Sequence, residues 1–353
     1  MNRYDMSRRS RLLVLGAIAA SAAIVLASCS GGASTVPGAS APPSAAAATP
    51  PSKVITIGAL YLDNQGFYGG IKKGIETGAA KAGANVKLLA ANSGGDAAKE
   101  AQFMETLIGA KVDAIIMSPV SVTASVPLVK QAFDAGIPVI CYNTCIDPAD
   151  AAKYVVALVT TDNLKFGFDV GSWAGDYFIK EGMTSPKIAL LNADTCEVCV
   201  QRKTGFKTGL QAKVPGVQFV ADQTGYIADA AASTTQTILT AHPDINAFWA
   251  VNEGGTIGAV QGISASNKTG QVVVFGMDID TQIAGLLLNG PTLVVTNAQD
   301  AQGMGSAAVQ IALQVIAGQK PSQYTVTIPT TLYPADNKAA INQWLTVHAD
   351  GLP

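Results

Sequence analysis

The sequence predicts an α/β protein made of two doubly wound parallel-sheet lobes, and three observations carry that reading. From Val54 onward, short β-rich runs alternate with segments at helical spacing. The runs are apolar almost throughout, as strands buried on both faces of a parallel sheet must be. The series then starts again near Val155, giving too many strands for one comfortable sheet.

The elements follow in order. VITIGAL (Val54–Leu60) reads as a buried strand, and GIKKGIETGAAKAG after it has helical spacing. VKLLAA (Val86–Ala91), AIIMS (Ala114–Ser118) and IPVICY (Ile137–Tyr142) repeat the strand signal. DAAKEAQFMETLIGA and SVPLVKQAFDAG supply the helices between them. VVALVT (Val155–Thr160) leads into a long helix from about Asn163. KIALLN, VQFVADQ, INAFWAV and VVVFGMD are strands, each trailed by a helical stretch. TLVVTNAQD (Thr292–Asp300) precedes the helix GSAAVQIALQVIAG and a last β-rich run, YTVTIPTTLY.

The N-terminus reads as an export signal. Arg3, Arg8, Arg9 and Arg11 form a basic region before the apolar run Leu12 to Ala27, which is shorter than the ~20 residues a membrane helix needs. Leu26-Ala27-Ser28-Cys29 resembles a lipobox, in which cleavage after residue 28 leaves Cys29 lipidated. Ser7-Arg8-Arg9 also resembles a twin-arginine signal, so both export routes stay open. Residues 29–52 contain no charge and only Val36 as a large apolar side chain, so they read as a flexible tether. Its ends are expected to sit roughly 25–30 Å apart. The expected location is the outer face of the cell membrane, with the lipid as the membrane contact.

Removing residues 1–28 takes away four Arg and Asp5, so the net charge falls from −2 to −5. No basic stripe remains for nucleic acid. The two histidines, His242 in a helix-to-strand loop and His348 in the tail, offer no base for a Ser-His-Asp or Cys-His site. No G-x-S-x-G or Walker A pattern appears, and no cofactor or metal is expected. The chain therefore reads as a non-enzyme. Asp63, Glu197, Glu253 and Asp278 keep a two-carboxylate glycosidase in view as an alternative.

In doubly wound sheets ligands bind beyond the carboxyl ends of the strands. Those positions here hold Asp63-Asn64-Gln65 with Phe67-Tyr68, Ser118, Asn143-Thr144, Asn192, Tyr226, Asn252-Glu253, Asp278 and Gln299. Amides and carboxylates can bond pairs of hydroxyls, and aromatic faces can cover the C–H face of a sugar ring. Helix capping and turn formation are the competing explanation for each Asn and Asp.

Taken together, DNQGFYGGIKKG, AIIMSP, DAGIPVICYN, TTDN, QTILTAHPDINAFWAVNE, VVVFGMD and TNAQD, in that order and spacing, give a family likeness. The chain resembles the periplasmic sugar-binding proteins of bacterial ABC importers, in the ribose-binding-protein-like branch with type I topology. The resemblance covers roughly Val54 to Thr330 and implies two lobes joined by a three-crossing hinge. The crossings are expected near Thr161-Asp162, Asn297 to Gln299 and Thr327-Ile328. The implied N-terminal lobe is 53–161 plus 299–327, and the C-terminal lobe with the tail is 162–298 plus 328–353.

The resemblance assigns ligand contacts to Asn64, Gln65, Phe67, Tyr68, Ser118 and Asn143 in the first lobe. It assigns Tyr226, Asn252 and Asp278 to the second, and Gln299 to the hinge. The family often carries Asp-Arg where this chain has Asn143-Thr144, and an arginine near Val200, where Arg202 lies two residues on. Whether Arg202 reaches the cleft bears on the ligand, because a guanidinium donates several bonds in a fixed fork. Without it, Asp63, Asn143, Asn192, Glu253 and Asp278 leave a cleft suited to a neutral sugar or polyol. The implied partners are that ligand and an ABC permease, with a monomeric receptor between them. A chemosensory receptor for a furanose-like signal is an alternative role for the same lobes.

Four cysteines remain besides Cys29, an even count that favours disulfides in an exported protein. Because the implied lobes must move, Cys141–Cys145 and Cys196–Cys199 are the expected pairings of the three possible, each within one lobe. C-x-x-C also occurs in exported thiol oxidoreductases. Against that role, Glu197 between Cys196 and Cys199 is expected to disfavour a thiolate.

Overall fold

The computed structural model describes residues 53–62, 66–83 and 85–353. Cys29, the signal segment and the tether lie outside the described residues, as do Asp63, Asn64 and Gln65.

The first half of the chain runs β1 (Ile55–Tyr61), α1 (Gly66–Ala82), β2 (Val86–Asn92), α2 (Ala97–Gly109), β3 (Ala114–Met117), α3 (Val126–Asp134), β4 (Val139–Tyr142), α4 (Pro148–Tyr154) and β5 (Val155–Thr160). It continues with α5 (Asn163–Lys180), β6 (Lys187–Asn192), α6 (Glu197–Lys213), β7 (Gln218–Thr224), α7 (Ala228–Ala241), β8 (Ala247–Ala250), α8 (Glu253–Ala265) and β9 (Val273–Met277). α9 (Thr281–Asn289), β10 (Leu293–Gln299), α10 (Ala301–Ile316), β11 (Thr325–Thr327), β12 (Thr330–Pro334) and α11 (Lys338–Val347) complete it.

Among the described residues the strands form two six-stranded sheets, β11-β5-β4-β3-β1-β2 and β12-β10-β9-β8-β6-β7. Pairing is parallel except where β12 runs antiparallel to β10. The two orders are one pattern written twice, with β1, β3, β4 and β5 matching β6, β8, β9 and β10. β5 thus completes the first sheet, although the strand signal restarts there in the sequence. The apolar runs behave as their composition requires: β3, β4 and β8 are buried at every position. In the second lobe Phe166, Phe206, Trp249 and Phe275 fill one face of the sheet, with Phe206 stacked on Trp249 at 5.1 Å. Each such side chain contributes roughly 1.5–3 kcal/mol by leaving water.

Chain crossings between the lobes fall where a strand of one sheet ends and the next element joins the other. β5 passes to α5 through Thr161-Asp162, β10 to α10 through Asp300, and β11 to β12 through Ile328-Pro329. The last of these is pinned when Ile328 N donates to the Thr160 carbonyl at 2.8 Å. The tail makes a further link. From α11, in the second lobe, it returns to the first, where Gln302 N donates to the Pro353 carbonyl at 3.1 Å. Gln302 Nε2 also donates to the Leu352 carbonyl, and Asp350 lies 3.8 Å from Lys73 on α1.

Glycines set how closely the helices approach. A methyl group on Gly167 of α5 would run into the Arg202 carbonyl of α6, and one on Gly205 into the Leu164 carbonyl. Gly285 of α9, by contrast, has no neighbour within 4 Å. Gly167→Ala is therefore expected to lower stability by about 2–3 kcal/mol in urea unfolding. Gly285→Ala should raise it by up to about 1 kcal/mol, because alanine is the better helix former in open space. Equal effects at the two positions would contradict the close approach of α5 and α6.

Candidate functional site

The loops at the carboxyl ends of both sheets enclose one cavity of about 810 Å³. The first lobe contributes residues after β1, β2, β3 and β4, the second contributes residues after β6, β7, β8 and β9, and Gln299 ends β10 beside them.

Two side chains occupy equivalent places in the repeat. Asn143 follows β4 and Asp278 follows β9, and both take left-handed backbone conformations with φ of 60° and 65°. Asn and Asp tolerate that region better than bulkier residues. The same brace holds each one. Thr160 of β5 donates to the Asn143 carbonyl at 2.7 Å, and Thr296 of β10 donates to the Asp278 carbonyl at 2.5 Å. Asn143 Nδ2 donates to the Tyr68 hydroxyl at 3.1 Å, while its Oδ1 is buried without a partner. Asp278 Oδ2 accepts from Glu253 N at 3.2 Å, and its Oδ1 is likewise buried and unpartnered. Burial pushes the Asp278 carboxyl above its ordinary value, and Arg202 pulls it back in part.

Arg202 does reach the cleft. It projects from the second turn of α6 and is 5 % exposed. Nε donates to Asn163 Oδ1 at 2.8 Å, one terminal nitrogen to Gln299 Oε1 at 2.7 Å, and the other to the Val251 carbonyl at 3.3 Å. The guanidinium lies 3.9 Å from Asp278 Oδ2 and 5.0 Å over the Phe166 ring. Gln299 continues the network by donating to Thr161 Oγ1 at 3.0 Å. Among the described residues Arg202 is the one basic side chain lining the cavity. Thr144 stands where the resemblance expects an arginine from the other lobe.

The structure brings Phe67, Tyr68, Asn143, Arg202, Tyr226, Asn252, Asp278 and Gln299 to this cavity. Phe67 and Tyr68 form the first turn of α1 and meet edge to face at 5.1 Å. Tyr226 is 37 % exposed at the cavity wall. Asn252 is also the N-cap of α8, its Oδ1 accepting from Gly255 N at 3.0 Å. Ser118 is fully buried at the end of β3 with its hydroxyl unpartnered, and it does not line the cavity. Asn64 and Gln65 lie outside the described residues. Asn192, read as a cleft amide, is a correction: it donates to Asp222 and accepts from Thr224, both on β7, and does not reach the cavity. Sequence reasoning took Thr161 only as a crossing and passed over Asn163; the signal for both was the polar TTDN stretch where β5 meets α5.

The cysteines divide. Cys141 and Cys145 are joined in the first lobe, whereas Cys196 and Cys199 are free thiols, so the expected second disulfide is not formed. Cys196 is the N-cap of α6 and Cys199 lies in its first turn. Glu197 does not suppress the thiolate as expected. A hydrogen bond from Cys199, amide N–H groups of the helix start and the nearby Arg202 together lower the Cys196 thiol to about 6.

Glu253, in the first turn of α8, crosses the cavity to the first turn of α1. A Cβ on Gly66 would come within 2.7 Å of its Oε2. Burial, with Asp280 and Asp278 nearby, pushes this carboxyl from 4.5 up to about 7, although the Gly66 and Phe67 N–H groups oppose the shift. A carboxyl raised on folding stabilises the fold fully below 4.5, and that contribution is lost as pH rises through 7. Glu253→Gln removes the titration. Between pH 4.5 and 8 the variant should gain about 2–3 kcal/mol over the parent, read from parallel urea unfolding curves. A constant offset between the two would contradict the shift.

Comparison with known proteins agrees with this geometry. A family model described as "Periplasmic binding protein domain" matches residues 58–320. The ABC transporter periplasmic-binding protein YphF of Escherichia coli is 42% identical over 301 residues, covering 85% of this chain and 91% of that protein. The D-ribose/D-allose-binding protein of Pseudomonas aeruginosa is 31% identical over 230 residues, covering 64% and 70%. Among solved structures, an ABC transporter solute-binding protein from Mycobacterium smegmatis with bound glycerol is 26% identical at a TM-score of 0.73, covering 81% and 96%. One from Bacillus halodurans with bound myo-inositol has a TM-score of 0.74 at 23% identity, covering 84% and 99%, a likeness of fold. With its two matched sheets, its interlobe cavity and a family match spanning most of the described residues, the chain belongs to the periplasmic binding protein family.

Proposed function

We propose that the chain is the solute-binding receptor of an ABC importer, taking a small neutral sugar or polyol between its lobes and delivering it to a membrane permease. One observation carries the reading. Asn143 and Asp278, from opposite lobes, each present a buried oxygen without a partner at the same cavity. A buried acceptor left unmade costs about 1–3 kcal/mol, which ligand hydroxyls donating to both would recover. Arg202 can donate to ring or hydroxyl oxygens, while Phe67 and Tyr226 offer aromatic faces to the C–H side of a ring. The names of the relatives, among them a D-ribose/D-allose-binding protein and a glycerol complex, support this ligand class.

The lipobox at Cys29 and the uncharged tether support a receptor anchored by lipid to the outer face of the cell membrane. In that arrangement the lipid holds the receptor near its permease, and the tether leaves the lobes free to dock.

Thermal-shift screening with D-ribose, D-allose, D-tagatose, D-fucose, myo-inositol and glycerol tests the reading. Saturation with a ligand of about 1 µM affinity raises stability by several kcal/mol. No shift with any of them, or with related sugars and polyols, would overturn it. For the ligand that binds, Tyr226→Ala should cost about 1–3 kcal/mol of affinity in calorimetry and leave the unfolding midpoint unchanged. Asp278→Ala should weaken binding at least tenfold, since about 1.4 kcal/mol goes with one lost acceptor.

A further inference from the structure

Capture of a neutral sugar makes no use of two thiols, yet Cys196 and Cys199 both line the cavity. They stand one turn apart on α6, and Arg202 continues the same face at the next i, i+3 step. The amides of Cys199 and Val200 both donate to the Cys196 carbonyl at 3.1 Å, which fixes the pair as a helix start. The 17-residue helix directs its positive end toward Cys196. The pair is asymmetric. The hydrogen bond from Cys199, the helix-start amides and Arg202 lower the Cys196 thiol, whereas the same hydrogen bond and burial push Cys199 up. Cys141, by contrast, is fully buried and already bonded to Cys145.

We propose that Cys196 and Cys199 form a thiol–disulfide exchange site inside the ligand cavity, with a small organic disulfide as co-reactant, and that its oxidation state sets how Arg202 meets the ligand. The Cys196 thiolate attacks one sulfur of the disulfide, forming a mixed disulfide and releasing one thiolate. Cys199 gives its proton to that leaving thiolate, and its sulfur attacks the Cys196 sulfur. The Cys196–Cys199 bond forms and the second thiolate leaves. Two electrons pass from the protein thiols to the small disulfide, which becomes one thiol and one thiolate.

In the dithiol form the Arg202 charge acts on the Cys196 thiol as well as on Asp278, while its hydrogen bonds go to Asn163, Gln299 and the Val251 carbonyl. Oxidation removes the Cys196 thiol from that balance and ties down the start of α6, leaving the free guanidinium N–H groups to Asp278 and to ligand oxygens. This coupling rests on the sugar-receptor reading above. The oxidised form should bind the ligand about tenfold more tightly, the change expected for one charge-assisted contact regained.

The test uses the purified exported chain in buffers of defined reduced-to-oxidised glutathione ratio, quenched, alkylated and mapped by mass spectrometry. Cys196 and Cys199 should pass together and reversibly from two alkylated thiols to none, while the Cys141–Cys145 peptide stays unchanged. Cys199→Ser should accumulate a glutathione adduct at Cys196, and Cys196→Ser should accumulate none at Cys199. The sugar giving the largest thermal shift should slow alkylation of Cys196 and should bind the oxidised protein more tightly in calorimetry. A pair that stays reduced in excess oxidised glutathione, or affinities equal within twofold, overturns the proposal. A reversible exchange with no sugar bound in either state leaves the exchange site standing and refutes the sugar reading instead.

Discussion

A guanidinium gives up its water at the base of a cleft only where protein oxygens replace it, and each of Arg202's three nitrogens finds one, the partners coming from three separate parts of the chain. Asn163 begins α5, Gln299 ends β10, and the Val251 carbonyl directly follows β8. Removing one partner of such a buried charge typically costs several kcal/mol, so the positions of these elements are coupled through it. Asn163 and Gln299 adjoin chain crossings, and Gln299 passes the coupling on to Thr161. The ligand cavity and the hinge are therefore one hydrogen-bonded system. The system depends in turn on close helix packing: Gly167 lies directly beneath the Arg202 carbonyl, and only a residue without a side chain lets α6 approach that near.

The internal repeat gives the cavity its chemistry. Equivalent left-handed positions hold an amide on one side and a carboxylate on the other, each braced by a threonine from the neighbouring crossing strand. Around this shared frame the lobes differ. The first contributes Phe67 and Tyr68 packed edge to face, and the second contributes the Arg202–Asp278 pair and two thiols. A ligand between them meets an aromatic and amide wall on one side and a charged wall on the other. The repeated topology supplies the geometry, and differences at a few strand-end residues supply the asymmetry.

The strands were legible because burial on both faces leaves continuous apolar runs that little else produces. The rule that sites gather at strand ends found Asn143 and Asp278, since those positions follow from topology alone. It misplaced Asn192, which is spent on Asp222 and Thr224 of the neighbouring strand instead of on a ligand. Which neighbour a strand-end amide chooses is a tertiary fact. Arg202 was visible as a candidate, but its reach depends on glycine contacts between helices some 35 residues apart. Glu253 was legible as a strand-end carboxylate of the cleft, but nothing local placed it against α1 of the other lobe.

The C-terminal tail adds a mechanical consequence. Each hinge crossing is a short connection that can swivel, but residues 348–353 form a strap lying along the first lobe. Gln302 grips it twice and Asp350 faces Lys73, while its other end is rooted in α11 of the second lobe. Separation of the lobes must either take up the slack in this strap or peel it from α1 and α10. Any such peeling breaks both Gln302 contacts, so the tail's grip belongs to the balance that sets how far apart the lobes can stand.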